Sequence, residues 1–378
     1  MSPDARTEVA IVLRRLPEYR VPLFRALRTL LEADGVRLRV LHGEPNAQEA
    51  RADDEGRLDW AERLGTRYLW RQRLCWQPFA RRTRKSQLVV IQQEDEPGYN
   101  LWSLLPARPR RFALWGRGVD EAGSIAPTAR QRFTRALAEK ALWWFTSTEG
   151  GADLLRREGF SRDRITYLEN AIDTVALTEL LQAVTTAQID IGRRRLGLKG
   201  ARVALFLGTL KEEKRLPFLL SAAEQVLHHV PGFRLLIAGD GPLRPYVEEA
   251  ASSRPWLRYL GHQARFEKAL VLRQCELMVS PGGVGVGILD AFTAGIPLVT
   301  TNCPGHGPEI AYLRSGENGL MTENSMEAFV RSVVALLQYE DERRRLGVNA
   351  QHVASHFTIE NMAQRFRNGI LGALRLRS

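Results

Sequence analysis

Short apolar runs alternate with helically spaced segments along all 378 residues, a pattern that predicts an α/β protein with doubly wound parallel sheets. Three observations carry this. Runs such as Val9-Ala-Ile-Val-Leu13 and Leu235-Leu-Ile-Ala238 are apolar throughout, as strands covered on both faces require. The segments between them have helical spacing, with proline early in first turns. The length exceeds the roughly 100–200 residues usual for one domain, so two such units are expected.

Hydrophobic content of 44% and charged content of 26% describe an ordinary globular protein. No run reaches the roughly 20 apolar residues a membrane span needs, and the start MSPDARTEVA lacks signal-peptide features, so a cytoplasmic protein is expected. Cys75, Cys275 and Cys303 have no paired or metal-like spacing and are read as reduced thiols. The net charge of +11 admits nucleic acid, anionic lipid or a polyanionic substrate. No helix-turn-helix, RNA-binding or zinc signature accompanies it, so nucleic acid is not an expected partner.

Val9–Leu13 is the first strand, followed by Arg14-Arg-Leu-Pro-Glu-Tyr-Arg20 and a helix over Val21–Glu32. The loop after such a strand is where parallel sheets hold ligands, which singles out Arg15, Tyr19 and Arg20. An exposed basic loop is the plainer alternative. Val36–His42 is the second strand, with His42 at its end, and residues 44–62 are read as loop plus a short helix. From Arg63 to Lys85 arginines interleave with Tyr68, Trp70, Trp76 and Phe79, and no acidic residue occurs up to Gln93. Arginine beside tryptophan suits an anionic membrane surface, whereas a solvated basic face over buried aromatics needs no membrane. Leu88–Ile91 and Arg111–Trp115 are strands that end near Glu94-Asp-Glu96 and Arg117. A helix is expected from Pro127 to Trp144, and residues 174–200, polar and basic, are read as linker. Beyond them strand and helix alternate to Thr301, and helices follow over Ser325–Gln338, Asp341–His356 and Ile359–Leu374.

The stretch Ser280–Asn318 organises the second half. Gly282, Gly283 and Gly285 let backbone approach an anion, and the helix Ile288–Ala294 would point N–H groups at it. Asp290 can accept hydrogen bonds from ribose hydroxyls. A second glycine loop, Pro304-Gly-His-Gly-Pro-Glu309, follows the strand Leu298–Thr301. Such a cluster alone is often only a tight turn. Here it follows Leu205-Phe-Leu-Gly208 with Lys211 and Lys214, Leu235-Leu-Ile-Ala-Gly-Asp-Gly-Pro242, and Tyr259-Leu-Gly261 in fixed order.

This series resembles the nucleotide-sugar-binding half of retaining GT-B glycosyltransferases of family four. Their corresponding segments read roughly GRLxxxKG, AGxGP, LG, PSxxEGFGxxxxEAxAxGxPVV, GGxPE and NG. The likeness is close from about Val203 to Leu320 and loose before that; the opening "YR then PLF" at Tyr19–Phe24 is also similar to family members acting on surface glycans. The resemblance implies a GT-B fold, two Rossmann-like doubly wound domains facing a central cleft. Residues 1–185 would bind the acceptor and residues 186–356 the nucleotide-sugar, with a helix in 357–378 crossing back. It places donor binding on Gly208, Thr209, Lys214, Gly241, Leu260, His262, Gly282, Gly283, Val284, Gly285, Asp290 and His306. Lys214, Arg117 and Glu309 would be catalytic, and Arg15, Tyr19, Arg20 and Glu94 would face the acceptor.

Departures matter too. Thr209 stands where the family has arginine, Gly282 where it has the first of two glutamates, and Arg117 where many GT-B enzymes have a histidine. No Asp-x-Asp occurs, so no metal clamp and no cofactor is expected, with a UDP- or GDP-linked sugar as substrate. The implied function is retaining transfer to a saccharide or polyisoprenoid-linked glycan in bacterial surface polysaccharide synthesis, at the inner membrane face. A catalytically degenerate nucleotide-sugar-binding subunit and a GT-B epimerase are the alternatives.

Overall fold

The computed structural model describes residues 7–46, 50, 54–69, 74–93, 111–116, 136 and 139–376. The chain forms two compact units, Met1–Asn170 with Ile359–Ser378, and Ala171–Thr358.

Among the described residues the first unit is built on a seven-stranded sheet. Its strands are β1 (Thr7–Leu13), β2 (Val36–His42), β3 (Glu62–Arg63), β6 (Leu88–Gln92), β7 (Phe112–Gly116), β8 (Trp143–Thr146) and β9 (Ile165–Tyr167). The order is β3-β2-β1-β6-β7-β8-β9, parallel throughout. β1 pairs with β2 from Thr7 opposite Val36 to Leu13 opposite His42. Its central residues Val9–Leu13 are fully buried, which is why this run carries no polar alternation. β4 (Arg67–Leu69) and β5 (Leu74–Trp76) form a separate antiparallel hairpin inside the basic stretch.

The second unit carries β10 (Val203–Leu207), β11 (Arg234–Ala238), β12 (Leu257–Gly261), β13 (Leu277–Ser280), β14 (Leu298–Thr301) and β15 (Gly319–Thr322). Their order is β12-β11-β10-β13-β14-β15, all parallel, the Rossmann arrangement in which the winding direction reverses between first and fourth strands. In each unit, therefore, two loops leave adjacent strands at a switch point: after β1 and β6 in the first, after β10 and β13 in the second.

Several expectations need correction. Residues 174–200 are not a linker: Thr174–Ala183 and Thr186–Arg195 are helices, and Leu177 and Leu181 join the second unit's core. The second is opened by Thr185, which accepts from Gln188 N while the Gln188 side chain accepts from Thr185 N at 2.9 Å. The division of the chain accordingly falls at Asn170/Ala171 rather than at 185/186. The helix expected to run through Trp144 gives way to β8, where Trp143 and Trp144 are buried. Ser325 caps the helix Met326–Gln338, its hydroxyl accepting from Ala328 N at 3.2 Å.

The helix Ile359–Arg375 belongs to the first unit. Phe366 packs edge-on against Trp115, with ring centroids 5.0 Å apart, and lies 4.6 Å from Phe145. Arg111 Nη2 donates to the carbonyls of Ala373 and Leu376 at 2.6 and 2.8 Å, closing the helix's C-terminal end. Among the described residues no helix is long and apolar enough to cross a membrane.

Candidate functional site

The second unit's switch point brings together the residues after β10 and β13. Gly208 N donates to Ala238 O at 3.0 Å, and Gly239 N to Gly261 O at 2.8 Å, so the ends of β10, β11 and β12 are tied backbone to backbone. A Cβ on Gly239, whose φ is +143°, would lie 1.9 Å from Gly208 O. No other residue fits there. Leu210 N donates to Asp240 O at 2.9 Å, and a Cβ on Gly241 would lie 2.7 Å from Leu210 O. Gly208 and Gly241 thus close the loops on one another, and Thr209 stays exposed between them.

The chain then makes a 3-10 turn over Glu212–Lys214 and a left-handed residue at Arg215 (φ 54°, ψ 45°). The Arg215 guanidinium lies 4.4 Å from the Phe218 ring centroid and donates to Pro281 O at 3.3 Å and Asn324 Oδ1 at 2.5 Å. It pins the turn after β13. Lys214 Nζ donates to Gly283 O, and Gly283 N donates to Glu213 O at 2.7 Å. The Gly283 backbone is therefore held on both sides by the loop after β10. A Cβ on Gly282 would meet Glu213 O at 2.2 Å, so the family's glutamate has no room in this packing.

The next residue is held from the opposite side. Val284 N donates to His306 Nδ1 at 3.1 Å, and Gly307 N donates to Val284 O at 2.6 Å. His306 Nε2 lies 2.8 Å from Thr301 O and 3.7 Å from Cys303 Sγ. A carbonyl only accepts, so Nε2 carries the proton and Nδ1 does not. Burial lowers the His306 pKa from its usual value, the bond to Thr301 raises it, and Lys214 lowers it again. The N–H groups of Gly283 and Val284, expected to face an anion, are thus taken up by protein. Those of Gly285 and Val286 have no partner among the described residues.

Asp290 is buried and pairs with Lys268 Nζ at 2.6 Å, a partner the sequence reading did not identify. Glu309 is buried in the first turn of the 3-10 helix Pro308–Tyr312. Its Oε2 would lie 2.7 Å from a Cβ at Gly307, so it sits directly under the second glycine loop. At the end of β12 the register slips, Leu260 O accepts from Gln263 Nε2 at 2.7 Å, and His262 is exposed.

In the first unit, Arg15 is held by both oxygens of Asp54, at 2.7 and 3.0 Å. Arg20 Nε donates to Tyr19 Oη at 3.0 Å, and its guanidinium lies 4.3 Å from the Trp115 ring centroid. Tyr19 is exposed. Arg117 and Glu94 lie outside the described residues. In the basic stretch Phe79 is fully buried, Tyr68 Oη donates to Glu44 O, and Arg63 pairs with Glu55 at 2.8 Å. Arg81, Arg84 and Lys85 remain exposed on one turn.

Residues 201–339 match the model of a family described as glycosyl transferases group 1. Over 116 residues the chain is 28% identical to the 2-deoxystreptamine N-acetyl-D-glucosaminyltransferase of Niallia circulans, covering 29% of this chain and 30% of that protein. Over 194 residues it is 28% identical to the glycogen synthase of Mycobacterium tuberculosis, covering 50% and 46%. The chain thus spans less than half the length of these curated relatives. Among solved structures, Anabaena HepE in complex with UDP and glucose matches with a TM-score of 0.71 at 15% identity, over 96% of this chain and 99% of that one. A glycosyltransferase from Rickettsia africae matches with a TM-score of 0.73 at 13% identity, over 99% and 100%. The chain has the GT-B fold of two Rossmann-like units, and residues 201–339 of its second unit match the group 1 glycosyl transferase family.

Proposed function

We propose that the chain is a glycosyltransferase that moves a sugar, with retention, from a UDP- or GDP-linked donor to a saccharide or lipid-linked acceptor in surface polysaccharide synthesis. The observation that carries this reading is the grip of Lys214 on Gly283 across the second unit's switch point, inside the matched segment. Open α/β sheets bind ligands at such a point, and the glycine loop there is held rigid on both sides. Anabaena HepE, solved with UDP-glucose, supports a uridine donor.

In this reading the bond from the anomeric carbon to the diphosphate breaks, its electron pair goes to the leaving oxygen, and the acceptor hydroxyl attacks from the same face. The hydroxyl proton passes to the departing phosphate. Lys214 and the N–H groups of Gly285 and Val286 stabilise the developing negative charge without reorganising, which lowers the barrier. Asp290, paired with Lys268, accepts from the ribose, and the backbone of Leu260–His262 borders the base. Glu309 orients the sugar from beneath the second glycine loop. In the same reading Arg117 serves the reaction centre, and Glu94, Arg20 and Tyr19 serve the acceptor. No metal is required.

The packing that excludes a side chain at Gly282 favours a second reading, a degenerate nucleotide-sugar-binding subunit, because it removes the carboxylate that holds the donor hexose in the family. Incubation with UDP- and GDP-sugars, with and without polyisoprenoid-linked and soluble glycan acceptors, separates the two. Release of nucleoside diphosphate together with a glycosylated acceptor supports the enzyme. Binding without release supports the subunit, and interconversion of free donors would support an epimerase.

A further inference from the structure

Both polar backbone atoms of Val284 are held by the second glycine loop, the N–H by the His306 ring and the carbonyl by Gly307 N at 2.6 Å. His306 in turn is fixed at its far nitrogen by Thr301 O, at 2.8 Å. The ring therefore bridges the carboxyl end of β14 to the loop after β13. This works in one protonation state only. An imidazolium carries hydrogen on both nitrogens, and its Nδ1–H would point at the Val284 N–H, donor against donor.

We propose that His306 is a neutral clip whose protonation releases the Val284 backbone, so that the donor-binding glycine loop is held in place above the pH at which the ring titrates and loosened below it. The proposal rests on the donor-site reading given above and makes His306 a positioning residue. The groups around the ring agree with it. Lys214, on the turn after β10, disfavours a second positive charge; Cys303 Sγ lies 3.7 Å from Nε2; Glu213 packs its Cγ near Gly283; and Glu309 lies beneath Gly307. Among these, Lys214 acts on the ring directly, and with burial it places the titration below the usual value of 6.5. Lys214 also donates to Gly283 O, so Lys214 and His306 hold the carbonyl and the N–H of one peptide, Gly283–Val284, from opposite sides.

The test has two arms on the full chain. The first is a nitrogen-15 NMR titration of the protein without ligand, following the His306 ring and the Val284 amide. The expected result is the Nε2–H tautomer, a midpoint below 6.5, and a Val284 amide shift that tracks the ring. The Nδ1–H tautomer, or a Val284 amide indifferent to the ring, overturns the clip. The second arm measures UDP, GDP and pyrophosphate affinity from pH 8 to pH 5 in the wild type and in His306→Asn, whose Oδ1 can accept from Val284 N–H without titrating. Wild-type affinity is expected to fall by up to roughly tenfold per pH unit below the ring's midpoint, beyond the fall seen in the variant. Parallel profiles overturn the proposal. If the NMR shows the clip but none of the three probes binds at pH 8, the donor-site reading fails instead, and the clip is left as a folding contact.

Discussion

The two units share a parallel doubly wound sheet with a switch point, yet they populate it differently. In the second, the loops meet through main chain: Gly283 on Glu213, Val284 on Gly307, Gly239 against Gly208. In the first, the loop after β1 adds side-chain anchors, Arg15 on Asp54 and Arg20 on Trp115, to main-chain bonds from Glu18 N to Asp54 O and from Gly56 N to Leu16 O, both 2.8 Å. Main-chain contacts of this kind demand particular residues, since a single added carbon collides. Side-chain pairs tolerate exchange. Under the proposed function, the donor diphosphate, common to many transferases, takes the first kind of site, and the acceptor, which varies, takes the second.

That contrast can be broken by substitution. Gly239→Ala should cost about 3 kcal/mol or more of stability, because the new Cβ collides with a carbonyl and not with a flexible side chain. Urea unfolding followed by tryptophan fluorescence would show it, and an unchanged midpoint would mean that the loops are not closed as described. Lys214→Ala should reduce turnover about 10²-fold, near 2.7 kcal/mol of transition-state stabilisation, with the fold intact. Retained activity would remove Lys214 from the phosphate site.

In the first unit effects should be smaller. Arg111→Ala removes the donor from the carbonyls that end the helix Ile359–Arg375 and should cost about 1–2 kcal/mol, read from the same unfolding curves. Asp54→Ala should cost about 1 kcal/mol or less and leave nucleotide affinity unchanged, since the pair it breaks is partly exposed. Acid offers the finest separation. His306 has its pKa lowered by burial, so the stability tied to its neutral ring is full above about pH 6.5 and falls as pH drops through the lowered value. The Glu62 carboxyl is lowered from 4.5 by its bonds to Arg39, so the Arg39 cluster of the first unit is undiminished above that pH and weakens only below it. Hydrogen exchange at pH 5.5 should therefore quicken around Val284 before β2 and β3. Simultaneous loosening would undo the distinction.

The same contrast governs what the sequence reveals. Strands such as Val9–Leu13 and Val203–Leu207 are legible because burial on both faces leaves only apolar residues. Gly239, Gly241 and Gly282 are legible because close backbone approach admits nothing larger. The helix Thr186–Arg195 was obscured by polar composition, although Thr185 and Gln188 already form a readable capping box, whereas Thr174–Ala183, apolar at Val175, Ala176, Leu177, Leu180 and Leu181, carried a helical signal that the linker reading passed over. The Lys268–Asp290 and Arg15–Asp54 pairs leave no local trace, since their spacing is set by how helices and loops fold over the sheet. His306 is visible as a departure from a glycine pair, but its two partners are not.

The helix Ile359–Arg375 has a consequence for how the protein is made. The core of the first unit needs Phe366 against Trp115 and Phe145, and that residue follows the whole of the second unit in the chain. A ribosome delivers residues 171–358 before that helix, so the second unit can fold while the opening 170 residues still lack their last helix. During synthesis the earlier half of the protein is the later to mature, and its unfinished sheet is the surface a chaperone would meet.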